Sequence, residues 1–217
     1  MSYHGNVTVG GPADVRELAP LMITKLAVGP HDNNTYLLRC RLTDEQLLID
    51  AAAEPERLLK TINGSLAAVV TTHQHPDHWQ ALQAVVNATG ARTAAGEHDA
   101  DAIPVHTDVR LRDGETIHVG YIPLRVIRLT GHTPGSIALL YDDPKGHPHL
   151  FTGDCLFPGG VGSTQNDPDR FTSLYNGVVE KIFNVLPDET WVYPGHGRDT
   201  TLGTERPHLE EWRTRGW

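Results

Sequence analysis

The stretch Thr71-Thr72-His73-Gln74-His75-Pro76-Asp77-His78-Trp79 packs three imidazoles and a carboxylate into one short run. Imidazole nitrogens and carboxylate oxygens are donors that divalent zinc and iron accept, so a run this dense points to metal binding. Adjacent Asp77 and His78 project differently from the His73 and His75 pair. One ion does not easily collect all four, and the compact expectation is two neighbouring metals, each taking part of the run. The same pattern recurs later in the chain. Leu124 to Leu129 runs into Gly131-His132, Leu150 to Thr152 into Gly153-Asp154, and Trp191 to Tyr193 into Pro194-Gly195-His196-Gly197. Each time an apolar segment stops at a donor that directly follows glycine, the residue that lets backbone and ion approach closely.

Positioning such donors requires strands that end at one edge. Leu21–Val28, Thr35–Arg41 and Gln46–Ile49, separated by turn-rich segments, read as an antiparallel meander. Glu54–Ile62, with Pro55 near its start and Asn63-Gly64 after it, reads as a short amphipathic helix. Leu66–Val70 is a buried-type strand, followed by a helix over His78–Thr89 that Gly90 closes. Arg92–Ala95, Ile117–Val119, Leu124–Leu129, Ser136–Tyr141, Leu150–Thr152 and Thr190–Tyr193 are further strands, with Asp113-Gly114 expected to turn a hairpin. Thr172–Leu186 carries apolar residues at near-helical spacing until Pro187 ends it. Thr200–Trp217 is expected to be partly helical at most. The order of elements implies an α/β fold with helices flanking sheets.

The 217 residues carry a net charge of −9, with 39% hydrophobic and 21% charged residues. That composition fits a globular domain rather than a disordered chain, and no apolar run approaches the roughly 20 residues of a membrane helix. No basic stripe is present to neutralise phosphates, which argues against nucleic acid as a partner. With 2 Cys and no export-type amino terminus, a cytoplasmic location is the expectation. No linker or repeat divides residues 1–217, so a single domain is expected.

The His73-x-His75-x-Asp77-His78 run, together with the later Gly-His, Gly-Asp and Gly-His elements, resembles the metallo-β-lactamase superfamily from about Asn33 to Gly197. The resemblance implies an αββα sandwich with a two-metal site at one edge. By position, His73, His75 and His132 would hold one ion, Asp77, His78 and His196 the other, and Asp154 would bridge them. Gly131-His132-Thr133-Pro134-Gly135-Ser136, Gly153-Asp154-Cys155-Leu156-Phe157 and Pro194-Gly195-His196-Gly197 look most like glyoxalase II and its short bacterial relatives. This implies hydrolysis of a small-molecule thioester by a metal-generated hydroxide, with Asp77 and Asp154 in catalytic roles. Zinc is the expected metal, with iron or manganese also suited. Two features depart from glyoxalase II: only 20 residues follow Gly197, where its helical domain would lie, and the usual Cys-Gly-Arg is Val161-Gly162-Ser163 here.

The alternatives are a mononuclear iron persulfide dioxygenase using His73, His132 and Asp154, a lactone or ester hydrolase, and a non-catalytic metal-binding module. Phe157, Arg170 and Tyr175 fall where relatives build a substrate wall, and are the candidate substrate contacts. Cys155 reads as a packing residue. Trp79 could line the pocket or join the core. His147 and His149 flank Pro148 and read as a solvated hairpin tip. Trp212 and Trp217 are expected to pack across the domain or onto a second subunit, in a monomer or homodimer.

Overall fold

The computed structural model describes residues 3–216, and Trp217 lies outside the described residues. Seven strands form the first sheet in sequential order: β1 (Asp14–Glu17), β2 (Leu21–Val28), β3 (Asn33–Cys40), β4 (Gln46–Ile49), β5 (Leu66–Thr71), β6 (Arg92–Gly96) and β7 (Val109–Leu111). β1 to β4 are antiparallel, as the meander requires, and β4 to β7 are parallel. The crossover from β4 to β5 is helix α1 (Pro55–Thr61), and that from β5 to β6 is α2 (Leu82–Thr89). The second sheet contains β8 (Thr116–Val119), β9 (Ile122–Arg128), β10 (Ile137–Tyr141) and β11 (His149–Gly153), and after a small pair, β12 (Leu156–Phe157) and β13 (Gly160–Val161), helix α3 (Pro168–Val178) crosses to β14 (Trp191–Pro194). β15 (Thr200–Thr201) adds the far edge, and α4 (Leu202–Glu205) and α5 (Leu209–Arg215) follow.

Strand alternation sorts the core into layers. Tyr36, Leu38, Leu47, Ile49 and Val70 of the first sheet meet Leu124, Val126, Leu139, Phe151 and Tyr193 of the second. Their outward neighbours, including Leu37, Leu48 and Val69, pack beneath Leu58 of α1 and Leu82 and Val85 of α2. On the opposite face, Ile127, Leu140, Leu150 and Val192 pack against Leu174 and Val178 of α3, Phe183 and Trp212. Burying each large aliphatic or aromatic side chain contributes roughly 1.5–3 kcal/mol, so three such layers explain why the order is αββα. Among the described residues no helix is long and apolar enough to cross a membrane.

Several expectations change. Asp113-Gly114 does not turn a hairpin: β7 pairs only with β6, and β8 with β9, so the turn carries the chain from one sheet to the other. The hairpin lies one step later, at Gly120-Tyr121 between Val119 and Ile122. The helix expected from His78 starts at Leu82, after a single 3-10 turn over Pro76–His78 that leaves the donor run in a loop. α3 begins earlier than Thr172 because Asp167 caps it, accepting from Asp169 N and Arg170 N, with Pro168 at its first position. A π-helical turn over Val179–Phe183 then ends the run. His149 is fully buried rather than solvated, with Nδ1 2.9 Å from Tyr193 Oη, and burial beside His147 and Arg16 drives it down to about 3. Trp212 packs within the domain, edge-on to Phe183.

Candidate metal centre

The donor loops meet because the strands before them run to the same edge. β5 ends at Thr71, β11 and its parallel neighbour β14 end at Gly153 and Pro194, and the loop carrying His132 joins β9 to β10. Ile137 N donates to Thr72 O at 3.0 Å, which ties the two sheets together beside the donor run. Across the edge, Asn34 N donates to Gly195 O at 2.7 Å and brings the start of β3 to the His196 loop.

All seven candidate donors converge, and they fall into overlapping groups: His73, His75 and His132; His73, His78 and Asp154; Asp77, His78 and His196. Donor atoms around one tetrahedral ion at 2.0–2.1 Å stand roughly 3.3–3.4 Å apart. His73 Nε2 lies 3.1 Å from His75 Nδ1 and 3.3 Å from His132 Nε2. In the other outer group, His78 Nε2 is 3.2 Å from His196 Nε2, and Asp77 Oδ2 is 3.5 Å and 3.4 Å from those same atoms. Asp154 stands between the groups, with Oδ2 3.6 Å from His132 Nε2 and 3.4 Å from His196 Nε2, and Oδ1 3.4 Å from His78 Nε2. Its buried Oδ1 has no hydrogen-bond partner among the described residues, as an oxygen set for a cation would. The donor set and its spacing fit divalent metal.

Three of the imidazoles are oriented from behind. His132 Nδ1 donates to Ser163 O and His196 Nδ1 to His31 O, both at 2.8 Å, which leaves each Nε2 lone pair facing the cluster. His78 Nδ1 lies 2.8 Å from Asp50 Oδ2, and Asp50 also accepts from Thr72 N and Thr72 Oγ1 at 2.7 and 2.8 Å. Asn33 Nδ2 donates to Asp77 Oδ2 at 2.9 Å. Buried Asp99 ties the two histidine loops together, accepting from Gln74 N at 2.9 Å, Thr133 Oγ1 at 2.5 Å and Gly135 N at 2.6 Å. Behind the His196 loop, Lys25 Nζ donates to Gly197 O at 2.7 Å and pairs with Asp199 at 2.6 Å. None of Asp50, Asp99, Asn33 or Lys25 was legible beforehand. The signal available was an acid directly after the apolar strand Gln46–Ile49, the same pattern that marked the later donors.

The glycines act as expected at the closest approaches. A Cβ on Gly195 would collide with Asp154 Oδ1 and crowd His78, and at Gly131 (φ +144°) it would strike Arg170 O of α3.

Electrostatics follow from burial and proximity. Burial beside the other imidazoles holds His73 well below its usual range, and burial also lowers His132, so both are neutral donors. Hydrogen bonding to His196 and Asn33 holds Asp77 ionised, below the usual carboxylate range. Burial acts to raise Asp154, but His196, His78 and His73 outweigh it and keep it ionised. Without metal, burial opposes protonation of His78 and His196, but Asp50 and Asp154 raise the first, and Asp154 and Asp77 the second, to about 10. The carboxylates thus demand a cation, and a metal would replace those protons.

The remaining candidates diverge. The Phe157 ring lies 6.3 Å from that of His196, beside the cluster. Arg170 lines a cavity of about 440 Å³ next to His75 and His132. Tyr175 is in the core layer, stacked on Phe171 at 5.7 Å with its hydroxyl donating to Leu209 O, and is not among the cavity's lining residues. Cys155 is fully buried and its thiol is pushed up, so it packs. Trp79 packs against the first helical layer and donates Nε1 to Gln74 O at 2.9 Å.

Comparison with known proteins agrees with this arrangement. The chain is 37% identical to a hydroxyacylglutathione hydrolase of Polaromonas over 168 residues, 76% of this chain and 62% of that one, so it spans under two thirds of that relative's length. It is 30% identical to the human mitochondrial persulfide dioxygenase ETHE1, over 82% of this chain and 69% of that one. The solved structure of TTHA1623 in a di-iron-bound form superimposes with a TM-score of 0.69 at 31% identity, covering 84% of this chain and 96% of that one. A family model described as the metallo-beta-lactamase superfamily matches residues 28–196, the span holding every candidate donor. With its sandwich fold and its donors gathered at one edge, the chain belongs to the metallo-beta-lactamase superfamily.

Proposed function

We propose that the chain is a binuclear metal-dependent hydrolase that cleaves thioesters of a small thiol. The observation that carries this reading is the outer group Asp77, His78 and His196, complete at 3.2–3.5 Å and separately supported by Asn33, Asp50 and the His31 carbonyl. A single ion in the other group would leave that construction without work.

His73, His75 and His132 would hold one ion, Asp77, His78 and His196 the second, and Asp154 both, with zinc suited to the set and iron or manganese also able to occupy it. Two such ions would supply hydroxide near neutral pH and polarise a carbonyl oxygen. Asp77, ionised and fixed by Asn33, accepts a hydrogen bond from the attacking water and orients it. Water oxygen adds to the thioester carbonyl carbon, the carbon–sulfur bond breaks, and acid and thiol leave. Phe157 and the cavity beside His75 and His132 are the proposed wall and bed for the substrate. Lactones and oxygen esters present the same carbonyl and are secondary substrates on this reading.

A second reading has specific support in the 30% identity to the persulfide dioxygenase. His73, His132 and Asp154 form a two-histidine, one-carboxylate set, with Asp154 Oδ2 4.0 Å and 3.6 Å from the two imidazole nitrogens. Elemental analysis of protein purified without added metal or chelator, with thiol release from a thioester panel and oxygen uptake with a persulfide, separates the two. About two ions per chain, thiol release and no oxygen uptake support the hydrolase; about one iron with oxygen uptake overturns it.

A further inference from the structure

Among the described residues, Arg170 in the cavity beside His75 and His132 is a cation that no acid neutralises. The cavity's volume is about 440 Å³, within the range of small-ligand sites, and its wall includes Gln74, Thr130, Gln165 and Arg170. Arg170 Nε donates to Gly131 O at 2.8 Å, Nη1 to Gln165 Oε1 at 2.9 Å and Nη2 to His132 O at 2.5 Å. A guanidinium has five N–H donors, so each Nη keeps one N–H beyond these bonds. All three acceptors are neutral. Asp169 and Asp167 are the acids nearest in sequence; neither forms an ion pair with Arg170 among the described residues, and Asp167 Oδ1 accepts from the Arg170 backbone N–H rather than from the guanidinium. Among the described residues no carboxylate lines the cavity, and Asp99, behind its wall, has its oxygens occupied by Gln74 N, Thr133 Oγ1 and Gly135 N. In contrast Arg39, Arg57, Arg110, Arg112 and Arg206 each pair with an acid.

We infer that this cavity is a subsite for a carboxylate carried by the substrate, and that Arg170 is its specificity determinant. The bonds from Arg170 to the Gly131 and His132 carbonyls hold the guanidinium rigid, so little entropy is lost when it engages a carboxylate. They also set the anion beside the His75 and His132 edge of the cluster, at one end of the reacting group. The carboxylate belongs to the acyl chain or to the thiol carrier, and the chemistry at Arg170 is the same in both cases. The reaction rests on the thioester reading; the anion subsite does not.

The test uses non-hydrolysable thioethers in matched pairs, one member bearing a terminal carboxylate and the other its methylamide, with the group placed at the acyl end or at the thiol end. Calorimetry on metal-loaded protein reads binding without turnover. For one of the two placements, the wild type binds the carboxylate about tenfold to a hundredfold more tightly than the methylamide. Arg170→Gln brings the ratio to within about twofold, and Arg170→Lys restores part of it. The placement that shows the preference identifies which end carries the carboxylate. A preference that survives Arg170→Gln reflects the metals and overturns the inference, as does a wild type with no preference at either end. If the ratio behaves as expected but no thioester is cleaved, the hydrolase reading falls and the subsite stands.

Discussion

On the two-ion reading, replacing Asp50 with asparagine should empty one half of the proposed metal centre without touching a candidate donor. Asp50 is buried and takes three hydrogen bonds: Oδ1 from Thr72 N at 2.7 Å, and Oδ2 from Thr72 Oγ1 and His78 Nδ1, both at 2.8 Å. In Asp50→Asn the amide oxygen can keep the Thr72 N–H, which places the NH2 where Oδ2 was. Thr72 Oγ1 adapts by turning its hydroxyl and accepting. His78 Nδ1 must also become an acceptor, so its proton moves to Nε2, the atom 3.2 Å from His196 Nε2 in the outer donor group. A protonated Nε2 is no ligand. The opposite amide placement sets NH2 against the Thr72 N–H and strands buried donors, at a cost of about 1–3 kcal/mol. Either route weakens the outer group, and loss of such a supporting partner lowers metal affinity about 10–100-fold, or about 1.4–2.7 kcal/mol. Chelator competition and elemental analysis read the effect. Metal content should fall from about two ions per chain to about one, with the group His73, His75 and His132 still loaded and the circular dichroism unchanged. An Asp50→Asn protein that holds both ions with affinity within about twofold of wild type would refute the tautomer argument.

Two further outcomes follow from the same geometry. In metal-free protein His78 and His196 are raised to about 10, above the roughly 6.5 of an unfolded histidine, so their stabilisation is complete below that value and drains as pH rises toward 10. The melting temperature of chelator-treated protein should therefore fall between pH 6.5 and pH 9, while metal-loaded protein, whose imidazoles have no such proton to lose, should not follow; parallel curves would contradict this. Gly195→Ala keeps every donor yet drives a Cβ into Asp154 Oδ1, so metal content and thiol release should drop more than tenfold. Gly197→Ala, where a Cβ meets nothing, should cost only about 1 kcal/mol of stability for its positive φ, and equal losses in the two variants would argue against the steric account.

The candidate donors were legible because metal chemistry restricts residue type and spacing within one stretch of chain. His73, His75, Asp77 and His78 lie in a single loop, and each later donor directly follows a strand and a glycine. The α/β class was legible in the order of elements, but continuous apolar runs such as Leu47-Leu48-Ile49 do not say which face meets the other sheet and which the helices. What escaped is long-range. Asp50 supports His78 from 28 positions away, and Lys25 holds the His196 loop through Gly197 from 172 positions away. His149 looked like a tip residue because Pro148 precedes it, but the parallel pairing of β11 with β14 puts it against Tyr193. Asp113-Gly114 has hairpin chemistry whether its strands pair with each other or part to different sheets. Local patterns pointed to the seven candidate donors, the α/β class and the family. Only the tertiary structure decided which residues orient those imidazoles from behind, and that Arg170 faces the cavity while Tyr175 packs in the core. Those outcomes depend on contacts between segments far apart in sequence, and neither periodicity nor residue type carries that information.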